Sequence, residues 1–524
     1  MHSSKTDGIR TLIEIEKIAL PGKLDSFVIT NPFSFAASLI FSNENIRGKK
    51  LRLKSPPAIS LEKFRKISEI IERFGFAEVE IPVEEILVDE EGFRGFEVLS
   101  EFVIEGKRLP AILKKDNKVI FLFDLGKCFI KLVNETYFSK SEKRHGLANP
   151  LSEWVYKKLP YRLRLALYRR YYKRLHAKIP SLKSFKTKFP IDPAGFVLVE
   201  LLRESMLLTT GTAKISRWPY GHNSASILTH DIEPTDYSYE KGLVQLLAEL
   251  RKAGQKSTIN IVAACLEKSP IGVRSELKSH DIGCHGLYHD RKFMAIGSRE
   301  RKYRIAEAKK IIERAEGKKV QGFRAPALQR TSDLFELLEE TGFKYDSSFI
   351  DVQREEPFCG RGNSFYLPFH PLMGERKSRI LELTTTAPDC ISPYFFGMSI
   401  DETISLFKKK AEWLRAIGGL AVFIVHAPVW GRQDENRLRL LSELLPEMRK
   451  ERTWNATAFE IYNWWKAREN VSIRIEKGKI IIENWNDFDM ERLELLVEDK
   501  FRKTSYMIPP VKANGSYELK LGAK

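Results

Sequence analysis

The chain has 524 residues, 43% of them apolar and 30% charged, with 87 Lys and Arg against 69 Asp and Glu. That length exceeds what a single hydrophobic core supports, so about two to four domains are expected, and the apolar share without a low-complexity tract excludes a largely disordered chain. The opening MHSSKTDGIRTLIEIEKIAL lacks the basic-then-apolar pattern of a signal peptide, and no window approaches the ~18 uninterrupted apolar residues of a membrane span, so a cytoplasmic protein is expected. Five scattered cysteines without a Cys-x-x-Cys pair read as reduced core thiols, not as a zinc knuckle or a redox couple.

Residues 1–140 mix short β-like runs (FAEVEIPVEEILV, KVIFLFDL) with one helical pattern, SLEKFRKISEIIERFG, in which Ser60 and Glu62 suit a helix start and Gly75 a stop. This is expected to be a small N-terminal α/β domain without catalytic residues. Residues 141–221 form a basic helical connector. Ser141 to Pro190 holds 14 Lys or Arg against two Glu, and around 150–180 apolar residues recur at near-helical spacing, broken at Pro160. Three readings of that stretch stay open: first a solvated basic face packed on a neighbouring domain, then an anionic membrane surface or acidic partner, and last nucleic acid.

From 222 to 468 apolar runs alternate with helical stretches, the pattern of parallel strands covered by helices, either an α/β barrel or a doubly wound sheet. Function gathers at the C-terminal ends of the strands in both. Residues 469–524 alternate apolar and polar residues around the turn EKGK, which predicts a small antiparallel β domain.

The stretch ILTHDIEP ends an apolar run in Asp231 and Glu233. Two acids two apart on extended chain point to one side, so one can hold a cation while the other accepts a proton. In GCHGLYHD, His285 and His289 are four apart; on one helical turn both imidazoles would share a face and could bind one cation. Two nitrogens and one carboxylate leave coordination positions open, as at a catalytic metal. Each signal alone is weak: taken singly, the acids read as loop residues and the histidines as incidental.

LTHDIE, HGLYH, GFRAP, YDSS and FIVHAP, in this order and spacing, resemble the ordered motifs of the polysaccharide deacetylases, the NodB-homology group of carbohydrate esterase family four, over residues 222–468. The resemblance implies a distorted (β/α) barrel of NodB type as catalytic domain, within an α/β chain that also carries the N-terminal α/β domain, the basic connector and the C-terminal β appendage. By similarity, Asp231 is the catalytic base, and Glu233, His285 and His289 are the ligands of a divalent metal, zinc by preference. Arg324 orients Asp231, the backbone N–H of Ala327 faces the oxyanion, His426 is the general acid, and Asp346 tunes His426, with Asp351 as the fallback. His230 is a wall residue, and Glu382 lines the cleft or caps a strand. The chain departs from the family where many members have adjacent aspartates: here Ile232 intervenes and the second acid is a Glu.

The implied activity is metal-dependent hydrolysis of an N-acyl group, N-acetyl first, on an amino sugar of a glycan or glycolipid precursor. Two alternatives stay open, a hydrolase of cyclic amides or ureides and a glycan-binding relative with weak catalysis. Oligomeric state is open.

Overall fold

The computed structural model describes residues 18–19, 28–30, 49–53, 55–88, 93–116, 118–133, 190–209, 212–233, 238–266, 277–290, 292–293, 296–351, 365–373, 376–388, 398–427, 432–476, 478–498 and 501–520. The basic stretch 150–180, with its membrane and nucleic-acid readings, lies outside the described residues. The chain divides into two compact units: Ser224–Asn463 with Asn134–Ile191, and a discontinuous unit of Met1–Val133, Asp192–Asn223 and Trp464–Lys524.

The first unit is built on a nine-stranded sheet: β1 (Ser224–Ile232), β2 (Thr258–Ile261), β3 (Asp281–Cys284), β4 (Gly322–Phe323), β5 (Tyr345–Asp346), β6 (Leu381–Glu382), β7 (Ala387–Pro388), β8 (Leu420–Ile424) and β9 (Thr453–Ala456). The order is β6-β5-β4-β3-β2-β1-β8-β7, every pair parallel. β1 pairs β8 along Ala225–Thr229 and changes its other partner midway, from β9 along Ser224–Ile227 to β2 along Thr229–Ile232. The end strands β6 and β7 follow one another in the chain, so the sheet curls into an open, distorted α/β barrel of NodB type.

All nine residues of β1 are buried, which explains why SASILTHDI shows no alternation: a parallel strand covered on both faces needs an apolar or satisfied side chain at every position. The covering helices are α1 (Ser238–Lys252), α2 (Ser298–Glu316), α3 (Leu334–Glu340), α4 (Ile400–Ala416) and α5 (Arg432–Met448). Local sequence sets their ends. Ser399 and Glu402 form a reciprocal capping box at the start of α4, and Gly317, with φ +69°, closes α2. In STINIVAACL the strand stops at Ile261, and Ala263–Leu266 turns helical.

In the discontinuous unit a six-stranded sheet runs Val28–Thr30, Lys118–Phe121, Lys107–Lys115, Glu97–Ile104, Ala58–Ile59 and Val79–Glu80, antiparallel after the first pair. A second sheet joins Ile18–Ala19, Thr212–Ile215, Glu494–Glu498 and Lys503–Met507. Thr212–Ile215, expected in the connector, thus pairs with a strand expected in a separate C-terminal domain. The chain divides close to the expected boundaries, at 133/134, 223/224 and 463/464, but strand pairing draws the N-terminal, middle and C-terminal segments into one unit. The EKGK hairpin is as expected, Val471–Glu476 against Lys479–Asn484 with Gly478 at φ +78°. The expected helix at 60–75 is shorter, Arg65–Arg73: Ser60 is engaged elsewhere, its N–H donating to the Glu101 carbonyl and its carbonyl accepting from the Ser100 hydroxyl, and Ile67 and Ile71 form the buried stripe.

Among the described residues no helix is long and apolar enough to cross a membrane. The thiols of Cys128, Cys265 and Cys284 are buried.

Candidate active site

Asp231 stands at the C-terminal end of β1, 5% exposed, and one oxygen of its carboxylate accepts from Arg324 Nη1 at 2.8 Å and from Asn260 Nδ2 at 3.0 Å. Arg324, just past β4 and fully buried, spends its remaining donors on Thr229 Oγ1 (2.8 Å), Ser347 O (2.9 Å) and Ser347 Oγ (2.9 Å). Guanidinium geometry makes such a fork directional, so the strand ends of β1, β4 and β5 fix where the carboxylate points. Burial alone would raise the Asp231 pKa; the Arg324 charge, with smaller help from His285, His426 and Asn260, outweighs it and holds the group well below the usual carboxylate range. At neutral pH it is an anion.

Glu233, two residues on, lies 3.1 Å from His289 Nε2 and 3.7 Å from His426 Nε2. One ligand atom from each of Glu233, His285 and His289 falls within 4.8 Å of the others. His285 Nδ1 is 2.9 Å from the carbonyl of Arg324, which can only accept, so that nitrogen carries the proton and Nε2 the lone pair. Burial lowers the His285 pKa to about 4, leaving the ring neutral at pH 7. His289 Nε2 is buried and makes no hydrogen bond despite its nearness to Glu233. A neutral nitrogen with its tautomer fixed, a second nitrogen orphaned, and a carboxylate in reach fit a divalent cation.

The expected route to that pair is corrected. Residues 285–290 are not helical: the chain leaves β3 and reverses at Gly286, φ +78°, where a Cβ would come within 2.7 Å of Pro326 Cγ. The turn, not a helical face, brings the two rings to 5.4 Å between centroids. Only glycine serves there.

His426, one residue beyond Val425 after β8, is mostly buried and reaches Glu233 as above. His230, expected as a wall residue, is fully buried with Nδ1 2.6 Å from the Val425 carbonyl. Ala327 and Leu328 both take left-handed backbone, φ 53° and 52°, in the short turn Pro326–Leu328; two such non-glycine residues in a row are strained conformations of the kind held at functional sites.

Asp346 is a correction. Its carboxylate takes Ser348 Oγ at 2.8 Å and Ser348 N–H at 3.1 Å and contacts Glu382, all inside the sheet, so the expected pairing with His426 is replaced by a set of β5 and β6 neighbours. The fallback, Asp351, is bound by Lys410 Nζ at 3.1 Å. Glu382 neither lines the cleft nor caps a strand from outside: it is fully buried and accepts the Phe349 N–H. Sequence reasoning missed Asn260, Thr229, Ser347 and Ser348. A signal for the first existed, since an Asn inside the apolar run TINIV demands a buried partner.

The open parallel barrel thus gathers three histidines, two carboxylates and a buried arginine at strand C-terminal ends. Residues 219–345 match the family model described as polysaccharide deacetylase. Over that segment, which carries β1 to β4, the chain is similar to polysaccharide deacetylases. Solved structures similar to this chain include a putative polysaccharide deacetylase from Mycobacterium smegmatis (22% identity, TM-score 0.41, covering 50% of this chain and 96% of that one). Others are Puue allantoinase (18%, 0.39, 48% and 92%) and a family 4 carbohydrate esterase from Streptomyces lividans in complex with acetate (15%, 0.31, 45% and 93%). No curated protein matches the chain.

Proposed function

We propose that the barrel is a metal-dependent deacetylase that removes an N-acetyl group from an amino sugar of a glycan or glycolipid precursor. The observation that carries this reading is the pairing of an arginine-locked, ionised Asp231 with a separate donor set of Glu233, His285 and His289. A binder needs no proton acceptor held in one orientation beside a vacant lone pair. Amide hydrolysis needs three things: a deprotonated water, charge stabilisation on the carbonyl oxygen, and a proton for the leaving nitrogen.

Glu233, His285 and His289 would hold a divalent cation, zinc being the metal that suits two imidazoles and one carboxylate, and the cation would supply Lewis acidity. Asp231 takes the proton of the attacking water. The Ala327 N–H, presented by the left-handed turn, faces the developing oxyanion. His426, across Glu233 from His289, gives its proton to the amine.

The test is acetate release from N-acetylated oligosaccharides by the protein loaded with zinc at known stoichiometry, run beside ring opening of a cyclic ureide. Acetate release with one metal per chain is the expected result. Ureide opening without acetate release would move the chain to the amidohydrolase alternative, and stoichiometric metal with neither reaction would leave a binding protein.

A further inference from the structure

Asp346 on β5 and Glu382 on β6 are direct partners in the parallel register, and both side chains are fully buried. Each carboxyl acts on the ionisation of the other. Glu382 Oε1 takes the Phe349 N–H at 3.0 Å, whereas Oε2, also buried, meets no donor from any other group among the described residues. Asp346 is fully engaged by Ser348.

The charges around the pair can be assigned. Arg324 is matched by Asp231. The charged group whose field reaches both Asp346 and Glu382 is Arg330, 1% exposed, whose Nη1 also donates to Ser348 O at 2.6 Å and to Leu328 O at 2.8 Å. One cation balances one carboxylate. Two anions at contact distance in a low-dielectric interior cannot both be sustained, so the second carboxyl keeps its proton, as in other carboxyl dyads. That proton gives Oε2 the partner it otherwise lacks.

We infer that Asp346 and Glu382 share a single proton at neutral pH and that this dyad is a positioning device for the catalytic base. The connection is short. Ser348 Oγ donates to Asp346 and accepts the Ala325 N–H at 2.8 Å, next to Arg324, while Ser347 holds Arg324 by both its carbonyl and its hydroxyl. Glu382 anchors the other side of this segment through Phe349. A dyad of fixed protonation thus holds residues 347–349, these hold Arg324, and Arg324 aims Asp231. Burial, first, and the neighbouring carboxyl, second, push the Glu382 pKa well above the carboxylate range, and burial raises that of Asp346.

The functional half of this inference rests on Asp231 being the base; the shared proton does not. Infrared difference spectra of the zinc-loaded full chain at pH 7, wild type minus Glu382→Gln and wild type minus Asp346→Asn, should each show the C=O stretch of one protonated carboxylic acid. No such band in either difference overturns the shared proton, whatever the activity. On N-acetylated oligosaccharides, Glu382→Ala should lower kcat by about 10- to 100-fold with KM and metal stoichiometry near wild type, the size of loss typical when a supporting shell is removed. Glu382→Gln, whose amide can donate to an ionised Asp346, should restore most of that loss. An Ala variant with unchanged kcat, or a Gln variant as poor as Ala, overturns the positioning role. If Glu382→Ala does not fold, the Gln variant and both infrared differences still decide. A wild type that retains the band yet releases no acetate would fail the proposed function and leave the dyad standing.

Discussion

In the discontinuous unit Arg203 sits among Glu200 (2.6 Å), Glu204 (2.8 Å) and Glu498 (2.8 Å), with Lys66 on Glu498 at 2.8 Å and Arg217 on Glu200 at 3.5 Å. In the barrel, Glu233, His285 and His289 converge with nitrogen lone pairs unspent, and a protonated carboxyl is stored two strands from Arg324. Both regions bury ionisable groups, but the first pairs each guanidinium and ammonium with a carboxylate and leaves no directional capacity over. The second withholds some. A saturated network contributes to the fold, and an unsaturated one is where a ligand can bind and a proton can move. Buried charge by itself therefore does not mark a site; what marks it is a donor or acceptor left without its partner.

Substitutions should separate the two regions in order of their effect on turnover. Arg324→Ala leaves the Asp231 carboxylate buried without its cation, so turnover should vanish and thermal unfolding should show a loss of about 3–5 kcal/mol, the cost of orphaning a buried charge. Arg324→Lys should not restore turnover, because an ammonium cannot reach Thr229, Asp231 and Ser347 together. Full activity in the Lys variant would show that charge, not the fork, is what matters.

Asp231→Asn keeps size and ligand set, so metal analysis should still find one ion per chain while kcat falls by about 10²- to 10⁴-fold, the range for a lost general base. Glu233→Gln should do the reverse, losing metal first and regaining part of its activity when zinc or cobalt is added in excess. Metal rescue of the Asp231 variant in place of the Glu233 variant would exchange the two roles.

Arg203→Leu should leave turnover on the same substrate unchanged but cost about 3 kcal/mol in unfolding experiments, since the buried Glu200 and Glu498 and the half-buried Glu204 lose a shared cation. The cost should depend on pH. For Glu498, burial raises the pKa but Arg203 and Lys66 lower it further, so the folded value lies below the unfolded one. Its contribution is complete above an unfolded pKa of about 4.3 and fades as pH falls through the folded value, so the variant and wild type should converge in acid. A gap that widens in acid would contradict this.

The smallest effect is expected at Cys284, whose thiol burial pushes up to about 12. Alkylating reagents should leave Cys128, Cys265 and Cys284 unmodified in the native protein and label them on unfolding, with no change in turnover before that point.

The sequence by itself singled out Asp231, Glu233, His285, His289, Arg324 and His426, which the barrel brings together. A parallel strand buried on both faces leaves its mark as an unbroken apolar run, and the acid or histidine that ends such a run stands out, as Asp231, His285 and His426 do. The hairpin at Gly478 was legible for a similar reason: its cause lies within a few residues. Tertiary structure decided what depends on partners far apart in the chain. His285 and His289 meet through a glycine reversal pressed against Pro326, not through helical spacing. Asp346 pairs with Glu382 because β5 and β6 lie side by side, a neighbourhood no local pattern encodes. Strand pairing between Thr212–Ile215 and Glu494–Glu498 joins segments nearly three hundred residues apart into one unit, since backbone hydrogen bonds carry no sequence label and only the register of the folded sheet assigns them.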